Sequence, residues 1–295
     1  MSLNYFKPTF MKFVDIKNDI AFRKIFGNEN KKEILISFLN AVLKLEKGNR
    51  IKKVKLINPY QFPRIKGQKA TIIDVKAQDE NHHTYIIEMQ VTEKECLDKR
   101  IQYYAAKGYV NQIDKGDDYT KLKGMIFIGI LNFKYFAGTK YLSRHLILDA
   151  ETHENKLKDF EFNFIELPKF KKKKVEDLET VIEKWTYFIK NAKKLTVIPE
   201  NTDDEGLKEA YIEADRHNWT KEELEEYEYA EMREQDERGQ IELAVKRAVE
   251  KTKEEEKIET IKEAIELGLT NESISKLTKL SIEKVIEIIN ELKKK

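Results

Sequence analysis

The stretch KATIIDVKAQDENHHTYIIEMQVT, from Lys69 to Thr92, decides the fold because its residues alternate as they do in a β-hairpin. Successive side chains of a strand point to opposite faces. One face of each predicted strand is apolar, with Thr71, Ile73, Val75 and Ala77 in the first strand and Tyr85, Ile87, Met89 and Val91 in the second. The other faces hold Ile72, Asp74 and Lys76 in the first strand and Ile86, Glu88 and Gln90 in the second. Each strand therefore combines an apolar face with a face that can carry chemistry.

The turn between the strands predicts their register. Residues 79–83, DENHH, are rich in turn formers, and five residues are a normal length for a hairpin loop. Centring the turn on Asn81 places Asp74 opposite Glu88. Directly opposed Cβ atoms lie about 4.5–5.5 Å apart, so two like charges there are destabilising unless a cation compensates them. Mg²⁺ is commonly held by one or two carboxylates, waters and phosphate oxygens, so the pair predicts a site for a divalent cation.

Length and composition limit the class of protein. A chain of 295 residues with 40% hydrophobic residues can form one or two domains with a sizeable core. Cys96 is the one cysteine of the sequence, which excludes internal disulfides and cysteine-rich zinc sites. No apolar run approaches the roughly 20 residues of a membrane span, and the first segment, MSLNYFKPTF, lacks the apolar core of a signal peptide. These features predict a cytoplasmic protein.

The net charge of +2 conceals an asymmetry between the two ends of the chain. Residues 1–200 hold 38 Lys and Arg against 26 Asp and Glu, whereas residues 201–295 hold 17 against 27. A basic front and an acidic back are typical of a polyanion-binding domain followed by a helical appendage. An ordinary Lys-rich and Glu-rich surface is the alternative that charge alone leaves open.

The order of the predicted elements indicates an α/β core. The spacing of apolar residues predicts helices over residues 15–26, 32–45, 99–112 and 175–191, and strands over residues 51–57, 123–133 and 160–165 beside the hairpin. The run GMIFIGIL within residues 123–133 is typical of a strand that is buried on both faces. The hairpin therefore belongs to a sheet that is covered by helices.

The acidic back of the chain is predicted to be helical. Residues 203–242 carry sixteen acidic residues against five basic ones, which favours exposed helices that dock weakly. The tail, residues 258–292, has three short apolar repeats, with Asn271 and Ser281 where N-caps are expected, and resembles a helix-turn-helix. Its last helix, Ile282 to Leu292, carries three glutamates, which suits phosphate contact poorly. We therefore predict packing or a homo-oligomer through these helices rather than DNA binding.

The hairpin has the residues needed for metal-dependent hydrolysis of phosphodiesters. Two carboxylates hold a metal that activates water, while a third group orients the water or stabilises charge. Gln90 shares the face of Glu88, but an amide cannot supply the positive charge of a lysine. Lys76 shares the face of Asp74 and lies opposite Ile86 in the predicted register, so it is a candidate for the missing cation. An amphipathic hairpin that only faces solvent is the alternative reading.

The chain resembles the recombination-promoting nuclease and putative transposase (Rpn) family of the PD-(D/E)XK nuclease superfamily. The resemblance covers essentially the whole chain. It is carried by NDIAFRKIFG (Asn18 to Gly27), IIDVKA (Ile72 to Ala77), IIEMQ (Ile86 to Gln90), RIQYYAAKGYVNQ (Arg100 to Gln112), FIELPKF (Phe164 to Phe170) and EKWTYFIK (Glu183 to Lys190). The resemblance implies a restriction-endonuclease-like α/β fold over residues 1–170, followed here by a charged helical region (171–257) and a small three-helix tail (258–295).

The family resemblance also implies roles for individual residues. Asp74 and Glu88 match the metal ligands, and Gln90 matches the position that is Lys in most of the superfamily. Asp19 matches an early acidic position that completes the metal shell, although an acidic residue at a helix N-terminus is also favoured electrostatically. The implied cofactor is Mg²⁺, with Mn²⁺ as the alternative.

The implied activity is a metal-dependent endonuclease that cuts double-stranded DNA for a mobile element. Two alternatives stay open on the sequence. The first is a catalytically weak or inactive DNA-binding or interaction protein that keeps the nuclease fold, since Gln90 replaces the lysine. The second is RNA rather than DNA as the substrate.

Overall fold

A six-stranded mixed sheet organises the computed structural model, which describes residues 10–61 and 71–292. The strands are β1 (Val54–Leu56), β2 (Tyr60–Gln61), β3 (Thr71–Ile72), β4 (Val75–Asp79), β5 (Thr84–Gln90), β6 (Met125–Leu131), β7 (Leu142–Leu146) and β8 (Phe160–Glu166). The order in the large sheet is β1-β4-β5-β6-β8-β7, and β2 pairs with β3 separately. The neighbours β5, β6 and β8 run parallel, while the other pairs are antiparallel. The predicted α/β fold class is confirmed.

Helices cover this sheet and make up the back of the chain. They are α1 (Asp19–Phe26), α2 (Lys32–Leu43), α3 (Leu97–Val110), α4 (Val181–Asn191), α5 (Glu205–Ala214), α6 (Lys221–Glu266), α7 (Asn271–Thr278) and α8 (Ile282–Leu292). Short 3-10 turns are found at Lys47–Asn49, Tyr119–Lys121, Leu167–Lys169, Val175–Asp177, Ala192–Lys194 and Arg216–Asn218. None of the helices in the described ranges is long and apolar enough to span a membrane.

The hairpin of β4 and β5 has the register that the sequence predicts. Val75 pairs with Ile87, and Lys76 pairs with Ile86. The turn is held by Asp79, whose carboxylate accepts hydrogen bonds from the backbone N–H of Asn81 (2.9 Å) and of His83 (2.8 Å), and from the Tyr85 hydroxyl (2.9 Å). Side chains thus fix the turn, and through the turn they fix which residues face each other.

The first strand of the hairpin is shorter than predicted. Ile72 belongs to β3, in the two-stranded sheet, and the chain bends before β4 begins at Val75. Because of the bend, Ile73 packs with Ile86 instead of sharing the face of Val75. Lys69 and Ala70, where the predicted strand begins, lie outside the described residues. The alternative reading, a hairpin whose second face only meets solvent, is wrong for β5, in which Thr84 to Met89 are all buried.

Helices bury both faces of the sheet. On one face, α1, α2, α4 and α5 form a core with Val75, Ile87 and Ile128. On the other face, Leu97 and Ile101 of α3 pack in a second core. The helices of the first core contribute the largest fully buried side chains, among them Phe22, Phe26, Phe38, Trp185, Phe188 and Tyr211. The sheet is therefore a middle layer, and polar groups on it are shielded from water.

The beginning and the end of this core are joined by backbone pairing. Phe13 forms a β-bridge with Asp215, and the N–H of Val14 donates to the carbonyl of Ala214 (2.9 Å). The N–H of Asp15 donates to the hydroxyl of the fully buried Tyr227 (2.9 Å). Residues separated by about two hundred positions thus close the core together.

Helix α5 packs tightly, although the sequence predicted weak docking for residues 203–242. Leu207, Ala210 and Tyr211 are buried in the first core. A Cβ atom added at Gly206 would lie 2.4 Å from the carbonyl oxygen of Glu33 and 2.5 Å from the Cβ of Ser37. The prediction was wrong because Gly and Ala allow close helix contact without adding to an apolar pattern.

We expect Gly206→Ala to destabilise the protein by about 1–3 kcal/mol, since the new methyl group meets α2 backbone that cannot move aside. Thermal unfolding measures this effect. Gly239→Ala is the matched control, because outside the adjacent backbone of α6 no atom of the described residues lies within 4 Å of the added carbon, and Ala favours a helix over Gly by roughly 1 kcal/mol. An unchanged melting temperature for Gly206→Ala would contradict the tight contact between α2 and α5.

The chain divides into two compact units, Met1–Ala230 and Glu231–Lys295. The second unit has a small core of its own, formed by Ile261, Ala264, Ile274, Val285 and Ile289. The N-cap of α7 is Thr270, one residue before the predicted Asn271, while the Ser281 hydroxyl accepts from the N–H of Lys284 (3.3 Å), as its predicted capping role requires. The domain boundaries after residues 170 and 257, and oligomerisation through the tail, stay predictions.

Candidate active site

The three parallel strands end together, and the predicted site lies at that edge. Gln90 at the end of β5 is level with Leu131 of β6, which is level with Glu166 of β8. The loop after β6 starts beside the hairpin, since the N–H of Asn132 donates to the carbonyl of Gln90 (2.9 Å). Loops and side chains from several elements therefore meet where Glu88 and Gln90 are presented.

Asp74 and Glu88 are bound to each other's strand. The backbone N–H of Asp74 donates to Glu88 Oε1 (3.1 Å), and Asp74 Oδ2 accepts from the backbone N–H of Met89 (2.9 Å). These bonds continue the pairing of β4 and β5 beyond Val75, with carboxylates in place of carbonyl groups. The bend before β4 is therefore stabilised by the two residues that the sequence predicts as metal ligands.

Glu88 is buried in a setting that disfavours its charged form. Only 5% of the residue is exposed. Burial, followed by the negative charge of Asp74, raises the pKa of the Glu88 carboxyl well above its ordinary value. Two adjacent carboxylates in a shielded place attract a cation, because a cation stabilises the ionised form of both.

Arg23 of α1 supplies a cation to this pair. Its Nε and Nη2 atoms donate to Asp74 Oδ1 at 3.1 and 2.9 Å, and Nη2 lies 3.8 Å from Asp19 Oδ2. Arg23 lies within the motif NDIAFRKIFG, but the sequence alone assigns it no role. Its spacing of four residues from Asp19 predicts an ion pair on the helix surface. The packing of α1 against the hairpin is a tertiary contact, which a local sequence pattern does not predict.

A second arginine lies on the other side of the pair. Arg100 of α3 lines a small cleft together with Glu88, Gln90, Tyr104 and Gly129. Its guanidinium donates to the Tyr104 hydroxyl (3.2 Å), and its charge opposes the rise in the pKa of Glu88. Gln90 Nε2 donates to Glu88 Oε2 (3.1 Å), so the amide orients the carboxylate. Arg100 begins the motif RIQYYAAKGYVNQ, but the sequence alone assigns it no role.

Two other predicted residues are placed less centrally. Lys76 is half-buried, burial lowers the pKa of its ammonium group, and it forms no ion pair with the described part of the chain. Asp19 is exposed, and Arg23 lies between it and Asp74. Within residues 10–61 and 71–292, no three Asp, Glu, His or Cys side chains form a cluster that could hold a metal ion. Metal binding by Asp19 and a catalytic role for Lys76 stay predictions.

The donor set fits a divalent cation all the same. Asp74 Oδ2 and both carboxylate oxygens of Glu88 each accept one hydrogen bond and keep a lone pair for a ligand bond, whereas Asp74 Oδ1 accepts both bonds of Arg23. Arg23 already places a positive charge against Asp74 Oδ1. Mg²⁺ is satisfied by one or two carboxylates with waters and phosphate oxygens, so a third acidic side chain is not required.

A cleft of about 790 Å³ lies at the opposite end of the strands. It is lined by residues from the hairpin turn and its neighbours, including Asp79, His83, Tyr85, Arg144 and Glu161. The hydrogen bond to Asp79 raises the pKa of the His83 ring, and Arg144 is paired with Glu161. These groups are satisfied by one another, so the cleft shows the structural bonds of the turn rather than a second reactive centre.

Comparison with known proteins gives a family. Residues 16–244 match the family model described as PD-(D/E)XK nuclease family transposase. The match spans every strand of the sheet and both carboxylates of the candidate site. No curated protein and no solved structure matches the chain.

Proposed function

This chain belongs to the PD-(D/E)XK nuclease family transposases, and on that premise we propose that it is a metal-dependent endonuclease that hydrolyses phosphodiester bonds of double-stranded DNA. The family suggests a nuclease-type function. The observation that supports the finer proposal is the contact of Asp74 with Glu88, which places two carboxylates of opposed strands beside a bound positive charge.

In this proposal Asp74 and Glu88 hold the cation, with Mg²⁺ as the expected ion and Mn²⁺ as a substitute. A divalent cation held by these two residues would polarise the phosphate and lower the pKa of the attacking water. Asp74 and Glu88 are fixed by backbone hydrogen bonds, so they need little reorganisation to bind it. Gln90 keeps the Glu88 carboxylate oriented through its amide.

Positive charge near the phosphate comes from arginine rather than from the position of Gln90. Arg23 and Arg100 lie on the two sides of the carboxylate pair, and both act electrostatically on Glu88. A guanidinium donates two parallel hydrogen bonds to phosphate oxygens and keeps its charge at any physiological pH. These residues can compensate for the absence of lysine at position 90, while Lys76 stays a predicted further cation.

We expect Asp74→Asn to lower cleavage by about 10³-fold, because it removes a charged ligand from the cation that stabilises the transition state. Nicking of a supercoiled plasmid with Mg²⁺ measures this. Asp79→Asn is the matched control, since Asp79 is a buried carboxylate at the far end of β4, with partners in the turn. It should leave cleavage intact at temperatures at which the variant is folded.

The outcomes separate the candidate functions. Metal-dependent cleavage that Asp74→Asn abolishes supports the endonuclease. Cleavage that survives Asp74→Asn would refute this site. DNA binding that weakens with salt, without metal-dependent cleavage, would favour the DNA-binding alternative. Competition between matched DNA and RNA duplexes tests the choice of substrate.

A further inference from the structure

Arg23 occupies the place on Asp74 that faces away from the backbone. Asp74 Oδ2 is held by the N–H of Met89, and Oδ1 receives both hydrogen bonds of Arg23. A cation shared by Asp74 and Glu88 would need an oxygen of Asp74, and Oδ1 is the one without a backbone bond. A divalent cation that binds Asp74 through Oδ1 therefore competes with the guanidinium for that oxygen.

We propose that Arg23 is the resident counter-ion of this centre, that a divalent cation displaces it from Asp74, and that the displaced guanidinium then binds the substrate phosphate. The inference rests on the proposed nuclease function. An arginine cannot leave by losing its proton, since its side chain stays charged in proteins, so displacement must be a movement. The residue that becomes free carries the charge that Gln90 lacks.

The surroundings of Arg23 allow this movement. Its side chain is 43% exposed, whereas that of Asp74 is 9% exposed, so the guanidinium can swing while the carboxylate stays in place. Asp19, one helical turn earlier on α1, already lies 3.8 Å from Nη2 and is exposed. Asp19 thus offers a second partner that keeps the guanidinium at the mouth of the site after displacement. This gives Asp19 a role that does not require it to touch the metal.

Two other cations near the site, within the described ranges, are less suited to the exchange. Arg100 is engaged with Tyr104 through a hydrogen bond and lies over the tyrosine ring, 5.7 Å from its centroid. Lys76 is half-buried on the sheet, and burial lowers the pKa of its ammonium group. Among the cations that the structure describes, Arg23 makes direct hydrogen bonds to a predicted metal ligand while remaining accessible to solvent.

Cation affinity without DNA is the first test. Titration calorimetry of the full chain with Mn²⁺ should show that Arg23→Gln binds the ion about five- to tenfold more tightly than the unchanged protein, because a competing charge has been removed. Arg144→Gln is the matched control, since Arg144 forms a similar two-bond pair with Glu161 far from Asp74 and should not alter Mn²⁺ affinity. Circular dichroism and the melting temperature show that each variant is folded.

Cleavage is the second test. Arg23→Gln is expected to lower the cleavage rate, although it strengthens cation binding. Arg23→Gln should cut plasmid about 100-fold more slowly at saturating Mg²⁺, and Arg23→Lys should recover part of the rate because it restores the charge without the fork. A purely structural role for Arg23 would weaken cation binding and cleavage together. Tighter cation binding combined with slower cleavage is the result that supports displacement.

The role of Asp19 is tested by a double-mutant cycle. If Asp19 acts through Arg23, Asp19→Asn weakens Mn²⁺ binding in the unchanged protein and has no more than a twofold effect when Arg23→Gln is also present. Equal weakening in both backgrounds would make Asp19 a metal ligand and would overturn its holding role.

The results also separate this inference from the proposed function. Mn²⁺ binding that Asp74→Asn abolishes, but that Arg23→Gln leaves unchanged or weakens, overturns the displacement and leaves the nuclease proposal standing. A protein that neither binds Mn²⁺ at millimolar concentration nor cleaves DNA overturns both.

Discussion

Glu88→Gln is expected to lower DNA cleavage by about 10³-fold or more while it makes the metal-free protein more stable. The loss of activity follows from the loss of a charged metal ligand at the centre of the proposed site. The shape of the side chain is kept: Gln Oε1 can still accept from the N–H of Asp74, and the amide of Gln90 can rotate to face the new amide. The substitution thus removes charge and little else.

The gain in stability follows from the environment of Glu88. Its carboxyl is buried beside Asp74, so its pKa in the folded, metal-free protein is raised above the ordinary value of 4.5. At pH values between 4.5 and the raised pKa, the folded state binds a proton that the unfolded state does not. Stability therefore falls as the pH rises through that window. The glutamine variant lacks this penalty, and we expect it to be more stable by about 1–2 kcal/mol above the window.

Thermal unfolding as a function of pH, with and without Mg²⁺, checks this expectation. For a chain of comparable length, each kcal/mol gained in stability raises the melting temperature by about 2–4 °C. Mg²⁺ should raise the melting temperature of the unchanged protein, because a bound ligand stabilises the folded state, and should hardly affect the variant. Glu93→Gln, an exposed carboxylate after the same strand, should change neither property. A Glu88→Gln variant that is less stable at every pH would contradict the cost of burying the Glu88 charge beside Asp74.

Lys169→Met is expected to destabilise the protein by about 3–5 kcal/mol, because it leaves a buried carboxylate without its cation. The side chains of Lys169 and Glu166 are 5% and 1% exposed, and Lys169 Nζ lies 2.6 Å from Glu166 Oε2. The same carboxylate accepts from the backbone N–H groups of Tyr135 (2.6 Å) and Phe136 (3.2 Å). The pair therefore fastens the loop that follows β6 to the end of β8.

Denaturant unfolding measures this effect as a lower midpoint with an unchanged slope. Lys171→Met is the matched control, since Lys171 is exposed two residues away and should shift stability by no more than about 0.5 kcal/mol. Glu166→Leu combined with Lys169→Met should recover part of the loss, because the uncompensated charge is then absent. If Lys169→Met alone is as stable as the control, water reaches the Glu166 carboxylate and the loop is not fastened in this way.

Much of the hairpin could be predicted from sequence because its determinants are local. The turn residues around Asn81 define a centre of symmetry, and that centre alone places Lys76 opposite Ile86, as the structure confirms. The bend before β4 could not be predicted, since it depends on Asp74 using its side chain, rather than its backbone, to bind Met89. A period-two pattern predicts which face of a strand a residue favours, but it does not predict where the hydrogen-bonded pairing of two strands ends.

The remaining features depend on contacts between distant segments. Arg23 reaches Asp74 across 51 positions, so neither residue's neighbours in sequence indicate the contact. The docking of α5 relies on Gly206, Ala210 and Ala214, which give close approach without a strong apolar signal. The edge strand β7 has the polar sequence LSRHL and was not predicted, because an edge strand needs only a partial apolar face.

The pairing of residues 12–14 with residues 214–216 has a consequence for how a cell makes this protein. Lys12 and Asp215 are 203 positions apart, so Phe13 and Val14 leave the ribosome long before the segment that covers them exists. Helix α1 follows directly, and its contacts with α5 must wait for the same segment. Contacts between segments so far apart in sequence form slowly, and apolar surface stays exposed until they have formed. We therefore expect the nascent chain, rather than the finished fold, to be the form that depends on chaperones, and the proposed site to be complete only after α5 has been translated.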